Sequence, residues 1–182
     1  LFRLVGSEMC IRDRNQTMKN KTKWVLGLGS VVFLSMVLFW KWLHAPLPQY
    51  VGEKKLRPLQ KKVNVYTDSF GVPHVFAENE KDLFFSAGYI AARERLFQLS
   101  MVALAVNGEL ASVLGDSYLK TDIYLRTWRI KKVAVELVSN MEPENKAIFD
   151  SFCAGINYWI EESKNDLPLE FKILGMEPSL WD

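Results

Sequence analysis

Residues 63–98, VNVYTDSFGVPHVFAENEKDLFFSAGYIAARERLFQ, decide how the chain folds. They open with strand-like alternation at Val63 and Val65 and break at Asp68-Ser69-Phe70-Gly71. They resume as Val72-Pro73-His74-Val75-Phe76-Ala77 and then pass into a helical pattern. That order predicts strand, tight turn, strand, helix. Gly71 suits a turn position with positive φ, where a Cβ would clash. Pro73 marks a strand start or an edge strand, because it has no N–H to offer a central ladder. Asn79, with Asp82 three residues on, predicts an N-cap with a capping-box partner.

Working outward, the periodicity predicts a helix from about Glu80 towards Asn107, with Asn107-Gly108 as its stop. Leu83, Phe84, Ala87, Ile90, Ala91, Leu96, Leu99 and Val102 recur mostly at three and four, as a core-facing helix requires. A short helix from Glu109 to Leu114 would be stopped by Gly115, and more helix is predicted from Tyr118 to Val138. Pro143, after Ser139-Asn140, suits the first turn of another helix. Ile148, Phe149, Phe152, Ile156, Trp159 and Ile160 would form its apolar face. Asn165-Asp166-Leu167-Pro168 breaks the pattern, and Phe171-Lys172-Ile173-Leu174 reads as a short extended piece before Gly175. The fold class is α+β, mostly helical with one short hairpin near its start.

These residues resemble a known family. Asp68-x-x-Gly71-Val72-Pro73-His74, Asp82-Leu83, Gly88-Tyr89-Ile90-x-Ala92 and Arg95-Leu96-Phe97-Gln98 resemble the start of the penicillin acylase family, amidases of the N-terminal-nucleophile hydrolase class. The similarity resumes at Gly108-x-Leu110-Ala111, Gly115, Asp122 and Arg126. It continues through Gly155-Ile156-Asn157, Leu167-Pro168-Leu169-Glu170-Phe171, Leu174-Gly175, Pro178 and Trp181. It therefore covers residues 63–182.

The resemblance implies a four-layer αββα core that the hairpin would join. It also implies a small-molecule N-acyl amide as substrate and a downstream beta chain of the same protein as partner. The family's catalytic serine is the first residue of that second chain, freed by autocatalytic cleavage of a longer precursor. Its hydroxyl attacks the amide carbonyl while its own α-amino group acts as base. With a reference pKa of about 7.7–8.0, that amine is easily tuned to be neutral near pH 7, so no histidine is needed. On this reading the chain is the front part of the alpha segment and contains no catalytic, cofactor-binding or metal-binding residue. Calcium is implied for the full-length protein, with its ligands outside this stretch. Three departures point to a divergent branch and leave the acyl specificity open. Ala103-Leu104 stand where the family often has paired arginines, Glu109 replaces a basic residue, and Ser112 replaces a glutamate.

At the other end, no charged residue occurs from Trp24 to Trp40. These seventeen residues are the short end of what can span a bilayer. Lys19, Lys21 and Lys23 precede them and Lys41 closes the block, the layout of a signal peptide or an uncleaved signal anchor. Leu43-His44-Ala45 loosely imitates a peptidase site, but Pro46 disfavours cleavage there, so an uncleaved anchor is expected. Lysine and arginine counts on the two sides are nearly balanced, so orientation rests on the resemblance. It places the domain in the periplasm or otherwise outside the cytoplasm, held at the inner membrane. Met18 reads as the start, and residues 1–17 read as a non-native leader. Residues 18–45 are then the signal anchor, 46–62 a proline-bearing basic linker (Pro46, Pro48, Pro58), and 63–182 a partial alpha-chain domain.

The remaining residues offer little chemistry. His74 follows Gly-Val-Pro on an apolar strand and reads as structural. Asp68 reads as a turn-former, Asp82 as a first-turn helix residue, and Asp122 with Arg126 as an i,i+4 ion pair. Ser69 and Ser86 have no activating base in the pattern. Of Arg93, Glu94 and Arg95, the last matches a basic family position and is expected to bond a carboxylate or carbonyls around the strand pair. Tyr89 and Phe97 read as core. Cys10 falls in the leader, and Cys153 sits on an apolar stripe as a buried thiol. A net charge of +2 indicates no polyanion partner, and Lys54-Lys55-Leu56-Arg57 with Lys61-Lys62 read as a solvated linker face, not a nucleic-acid site. A competing reading is a non-catalytic, membrane-anchored envelope scaffold or binding domain.

Overall fold

The computed structural model describes residues 5–44, 47 and 50–181. Among the positions singled out above, residues 1–4, Ala45, Pro46, Pro48, Asp182 and the side chain of Cys10 lie outside the described residues. The chain divides into two units, Leu1–Ala45 and Pro46–Asp182.

The first unit is one helix, α1 (Val5–His44). Within it, Lys23–His44 is long and apolar enough to cross a membrane by length and composition, and its side chains are exposed. Aromatic residues gather near its end, where Phe39 stacks with Trp42 and Trp40 with His44.

The second unit begins with the hairpin. Strands β1 (Asn64–Thr67) and β2 (Pro73–Phe76) pair antiparallel, with Asn64 opposite Phe76 and Thr67 opposite Pro73. Gly71 takes φ +81° in the turn. Pro73 opens its strand, as its missing N–H requires.

Helix α2 (Glu80–Asn107) has the bounds its sequence predicts. Asn79 caps it, its side chain accepting from the Asp82 N–H at 2.8 Å while its amide donates to the Asp82 carboxylate at 2.7 Å. At the far end Gly108 adopts φ 65°, and Gly108 and Glu109 donate back to Ala105 and Leu104. That arrangement satisfies carbonyls the helix end would otherwise leave open. Arg95 departs from helical geometry (φ −143°, ψ 31°) and kinks α2.

Beyond Gly108 come α3 (Ala111–Leu114), a single 3₁₀ turn (Asp116–Tyr118), α4 (Leu119–Thr127) and α5 (Ile130–Ser139). The continuous helix expected from Tyr118 to Val138 is therefore broken at Trp128 and Arg129. Arg129 takes a left-handed φ of 54°, which stops α4 without glycine or proline. Helix α6 (Pro143–Ser163) begins on its proline, as predicted. Phe171 to Leu174 is not extended but forms most of α7 (Leu169–Leu174). Pro168 precedes that helix and Gly175 (φ 62°) ends it, with Met176 donating to the Phe171 carbonyl at 3.1 Å.

The core is the seam between α2 and α6, closed by α7. Ala92, Leu96, Ile156, Ile160 and Phe171 are buried together, with Phe97, Phe152, Trp159 and Trp181 packed around them. Phe97 meets Phe171 edge to face at 5.6 Å. The buried face of α2 is rotated from the one its sequence pattern suggests. Ile90 and Leu96 are inside as expected, but so are Phe85, Gly88, Tyr89 and Ala92, whereas Val102 is 59% exposed. On α6, Phe149 is likewise 57% exposed, not buried as its spacing implied. Cys153 is half-buried.

The rotation follows from two glycines. A Cβ on Gly88 would run into the Phe152 carbonyl, and one on Gly155 into the Phe85 carbonyl. The two backbones touch there, and that contact sets which residues face inward.

Candidate functional site

Four polar clusters hold the second unit together, each built on a residue the sequence singles out. The first is Asp82, almost wholly buried. Besides Asn79, its carboxylate accepts from the Gln60 N–H at 3.0 Å and the Lys61 N–H at 2.8 Å. Burial alone would raise its pKa. The bonds from Gln60, Asn79 and Lys61 outweigh that and hold it below the ordinary aspartate value. Asp82 thus does more than open a helix, because it fixes the segment that leads into the hairpin.

The second is Tyr89, also buried. Its hydroxyl accepts from Lys54 Nζ at 3.0 Å and donates to Glu162 at 2.9 Å, and Lys54 reaches the same carboxylate at 2.7 Å. The Lys54 ammonium also lies over the rings of Tyr89 and Trp159, at 5.7 and 5.8 Å from their centroids. Burial would lower the Lys54 pKa, but the bonds to Glu162 and Tyr89 raise it. For Tyr89, burial leads in pushing the pKa up. Nearby, Tyr50 donates to Glu94 at 2.9 Å and Arg93 stacks on the Tyr50 ring. The basic residues of this stretch are exposed, as a solvated linker face requires, and Lys54 among them also ties the linker to α2 and α6.

The third cluster is the hairpin tip. Asp68 accepts from the N–H groups of Phe70 and Val72 at 2.8 and 2.9 Å and pairs with His74 Nε2 at 3.2 Å. The Val72 N–H and then His74 hold the Asp68 carboxyl below its usual range. His74 lies exposed on β2 and supports the turn.

The fourth cluster replaces the expected Asp122–Arg126 ion pair. Asp122 is buried and accepts from the N–H groups of Leu110 and Ala111 at 2.9 and 2.7 Å, capping the start of α3. Arg126 turns instead to the Gly108 carbonyl, which it reaches through Nε at 3.0 Å. A carboxylate that can take two backbone donors serves better there than in an exposed ion pair. Arg95 likewise bonds Gln98 on its own helix at 2.9 Å, not groups around the strand pair.

Each of these carboxylates is committed to backbone or side-chain donors, so none stands free as a general base. Ser86 is buried, and the buried Ser100 hydroxyl has no partner among the described residues. No cluster of three or more His, Cys, Asp or Glu able to hold a metal ion occurs among the described residues. Calcium is therefore assigned to none of them. What the geometry supplies is a rigid helical frame with an exposed hairpin. Tyr66 and Phe76 lie edge to face on the hairpin's open side at 5.9 Å, and Phe70 at its tip is 90% exposed.

The sequence profile of the penicillin amidase family matches residues 62–182. The chain belongs to that family. Penicillin acylase 2 proenzyme of Pseudomonas sp. (strain SE83) is 31% identical over 140 residues, covering 77% of this chain and 18% of that protein. Acyl-homoserine lactone acylase QuiP of Pseudomonas fluorescens (strain Pf0-1) is 30% identical over 135 residues, covering 74% of this chain and 16% of that one. Among solved structures, a thermostable penicillin G acylase from Alcaligenes faecalis superposes with a TM-score of 0.60 at 31% identity. The match covers 66% of this chain and 65% of that one. The chain spans less than a fifth of the length of these curated relatives. The family is one of amide-hydrolysing acylases. The mostly helical frame with its two-stranded antiparallel sheet agrees with the penicillin acylase fold.

The frame residues were partly legible. Gly88 and Gly155 match the family pattern, but nothing local in the sequence shows that each lies against the backbone of the other helix. A glycine in mid-helix costs about 1 kcal/mol relative to alanine, which is itself a signal of close backbone approach. The Lys54–Tyr89–Glu162 cluster and the Asn157–Trp181 pair (2.7 and 2.8 Å) left no local mark in the sequence.

Proposed function

We propose that this chain is the front part of the alpha segment of an exported amidase that hydrolyses linear N-acyl amide bonds. The nucleophile is the N-terminal serine of a second chain released from later sequence by autocatalytic cleavage. The hairpin adds its strands to a four-layer αββα core completed by that chain. The apolar stretch Lys23–His44 holds the protein at the inner membrane, with residues 63–182 outside the cytoplasm. Calcium binds through ligands in the later sequence.

The observation that carries this reading is the 31% identity over 140 residues to a protein described as a penicillin acylase proenzyme. The open apolar side of the hairpin supports it, since a two-stranded ribbon is marginal without a neighbour. The names of the relatives differ in the acyl compound they act on, so the substrate class is an N-acyl amide and no narrower.

The test is hydrolysis of phenylacetyl- and long-chain acyl-amide reporters by the complete gene product, set beside residues 1–182 alone. Turnover by the complete product and none by the shorter chain is expected. A folded complete product inert towards both reporters contradicts the amidase reading.

A further inference from the structure

We infer that the α4–α5 face docks on an anionic lipid surface. Helix α5 exposes every residue, apolar and basic alike, and Val133 and Leu137 stand open on it. At the break between the helices Trp128 is 62% exposed, with Tyr124 edge to face against it at 5.9 Å. Across residues 119–139 five basic side chains face two acidic ones, Asp122 and Glu136. Asp122 is turned inward onto Leu110 and Ala111. Among the described residues, Arg129, Lys131 and Lys132 form no ion pair. With Arg126 and one carboxylate, Glu109, they line a cleft of about 560 Å³ whose apolar wall includes Leu125 and Ile130.

This composition differs from the other open apolar surfaces. On the hairpin the exposed apolar groups are Val65, Tyr66, Phe70, Val72 and Phe76, and His74 there is already partnered by Asp68. Such a face suits protein packing. A cluster of four cations that outnumbers its neighbouring carboxylates, Glu109 and Glu136, interleaved with tryptophan and aliphatic side chains, suits an interface of phosphate headgroups and acyl chains. A protein occupant would need matching carboxylates to avoid burying unpaired charge. The left-handed Arg129 sets Trp128 and the cations at one break instead of along a continuous helix. The inference rests on these residues and does not depend on the amidase reading.

The test uses the complete gene product inserted in nanodiscs, either pure dioleoylphosphatidylcholine or containing three parts in ten dioleoylphosphatidylglycerol. Amide exchange is followed over residues 123–139. Exchange there should slow on adding the anionic lipid, by roughly tenfold, and recover at high salt. K131E/K132E should remove the effect, and K131R/K132R should retain it, with exchange in α6 unchanged in both. Protection equal in the two lipids, or protection that survives charge reversal, would show that lipid is not the occupant and overturn the inference.

Discussion

Gly88 and Gly155 let the backbones of α2 and α6 come into contact: the Phe152 carbonyl fills the space a side chain on Gly88 would need, and the Phe85 carbonyl the space one on Gly155 would need. The seam they close carries the Ala92, Leu96, Ile156 and Ile160 core. Gly155→Ala should therefore destabilise the chain by about 3 kcal/mol, at the upper end for overpacking, because backbone and not a flexible side chain obstructs the new methyl. Urea unfolding of the full chain in nanodiscs, followed by aromatic fluorescence, measures this. An alanine variant as stable as the parent would show that the helices do not meet so closely.

Asp82 gives a second expectation. Asp82→Ala leaves the Gln60 and Lys61 N–H groups without their acceptor and removes the carboxylate that the Asn79 amide bonds, while the residue-82 N–H still donates to the Asn79 cap. The loss should be about 1–3 kcal/mol, from at least one buried donor left unsatisfied. Amide exchange at Gln60 and Lys61 should rise first.

The same carboxylate sets a pH dependence. Its pKa is depressed in the folded chain, as is that of Asp68. Their contribution is present above the ordinary aspartate value, near pH 4, and is lost as pH falls through the lower folded values. Urea midpoints should decline below about pH 4, and Asp82→Asn should flatten that decline. A midpoint independent of pH in this range would contradict the bonding described.

Lys54 holds the residue 50–62 segment to the helices through Glu162 and Tyr89. Lys54→Met should free that segment and raise the rate of tryptic cleavage after Lys55 about fivefold, an effect near 1 kcal/mol for a partly exposed pair. Because the folded pKa of Lys54 is raised, this hold persists through neutral pH and weakens only in strong alkali. Unchanged cleavage would mean that the ion pair does not restrain the segment.

Much of the frame was legible because it is punctuated locally. Asn79 with Asp82, Asn107-Gly108 and Pro143 each bring a cap or stop within a few residues, and those boundaries fall where expected. Two elements were misread where the local signal was weak or contrary. Phe171 to Leu174 looks extended by composition, yet Pro168 and Gly175 bracket a short helix. The break at Arg129 uses a residue that rarely adopts positive φ, so nothing in the sequence announces it. Asp122 and Arg126 have the right spacing for an ion pair, but the unsatisfied groups of Gly108, Leu110 and Ala111 compete successfully for both. The rotation of α2 depends on a partner glycine far along the chain, which periodicity does not see.

The most direct test of the central claim is the covalent state of the complete gene product. Intact mass and N-terminal sequencing should find two chains that co-purify. The first should contain residues 63–182, and the second should begin with serine. Ser→Ala at that junction should abolish both cleavage and hydrolysis. A single uncleaved polypeptide that still hydrolyses N-acyl amides, or a second chain that begins with a residue unable to act as nucleophile, would contradict the account.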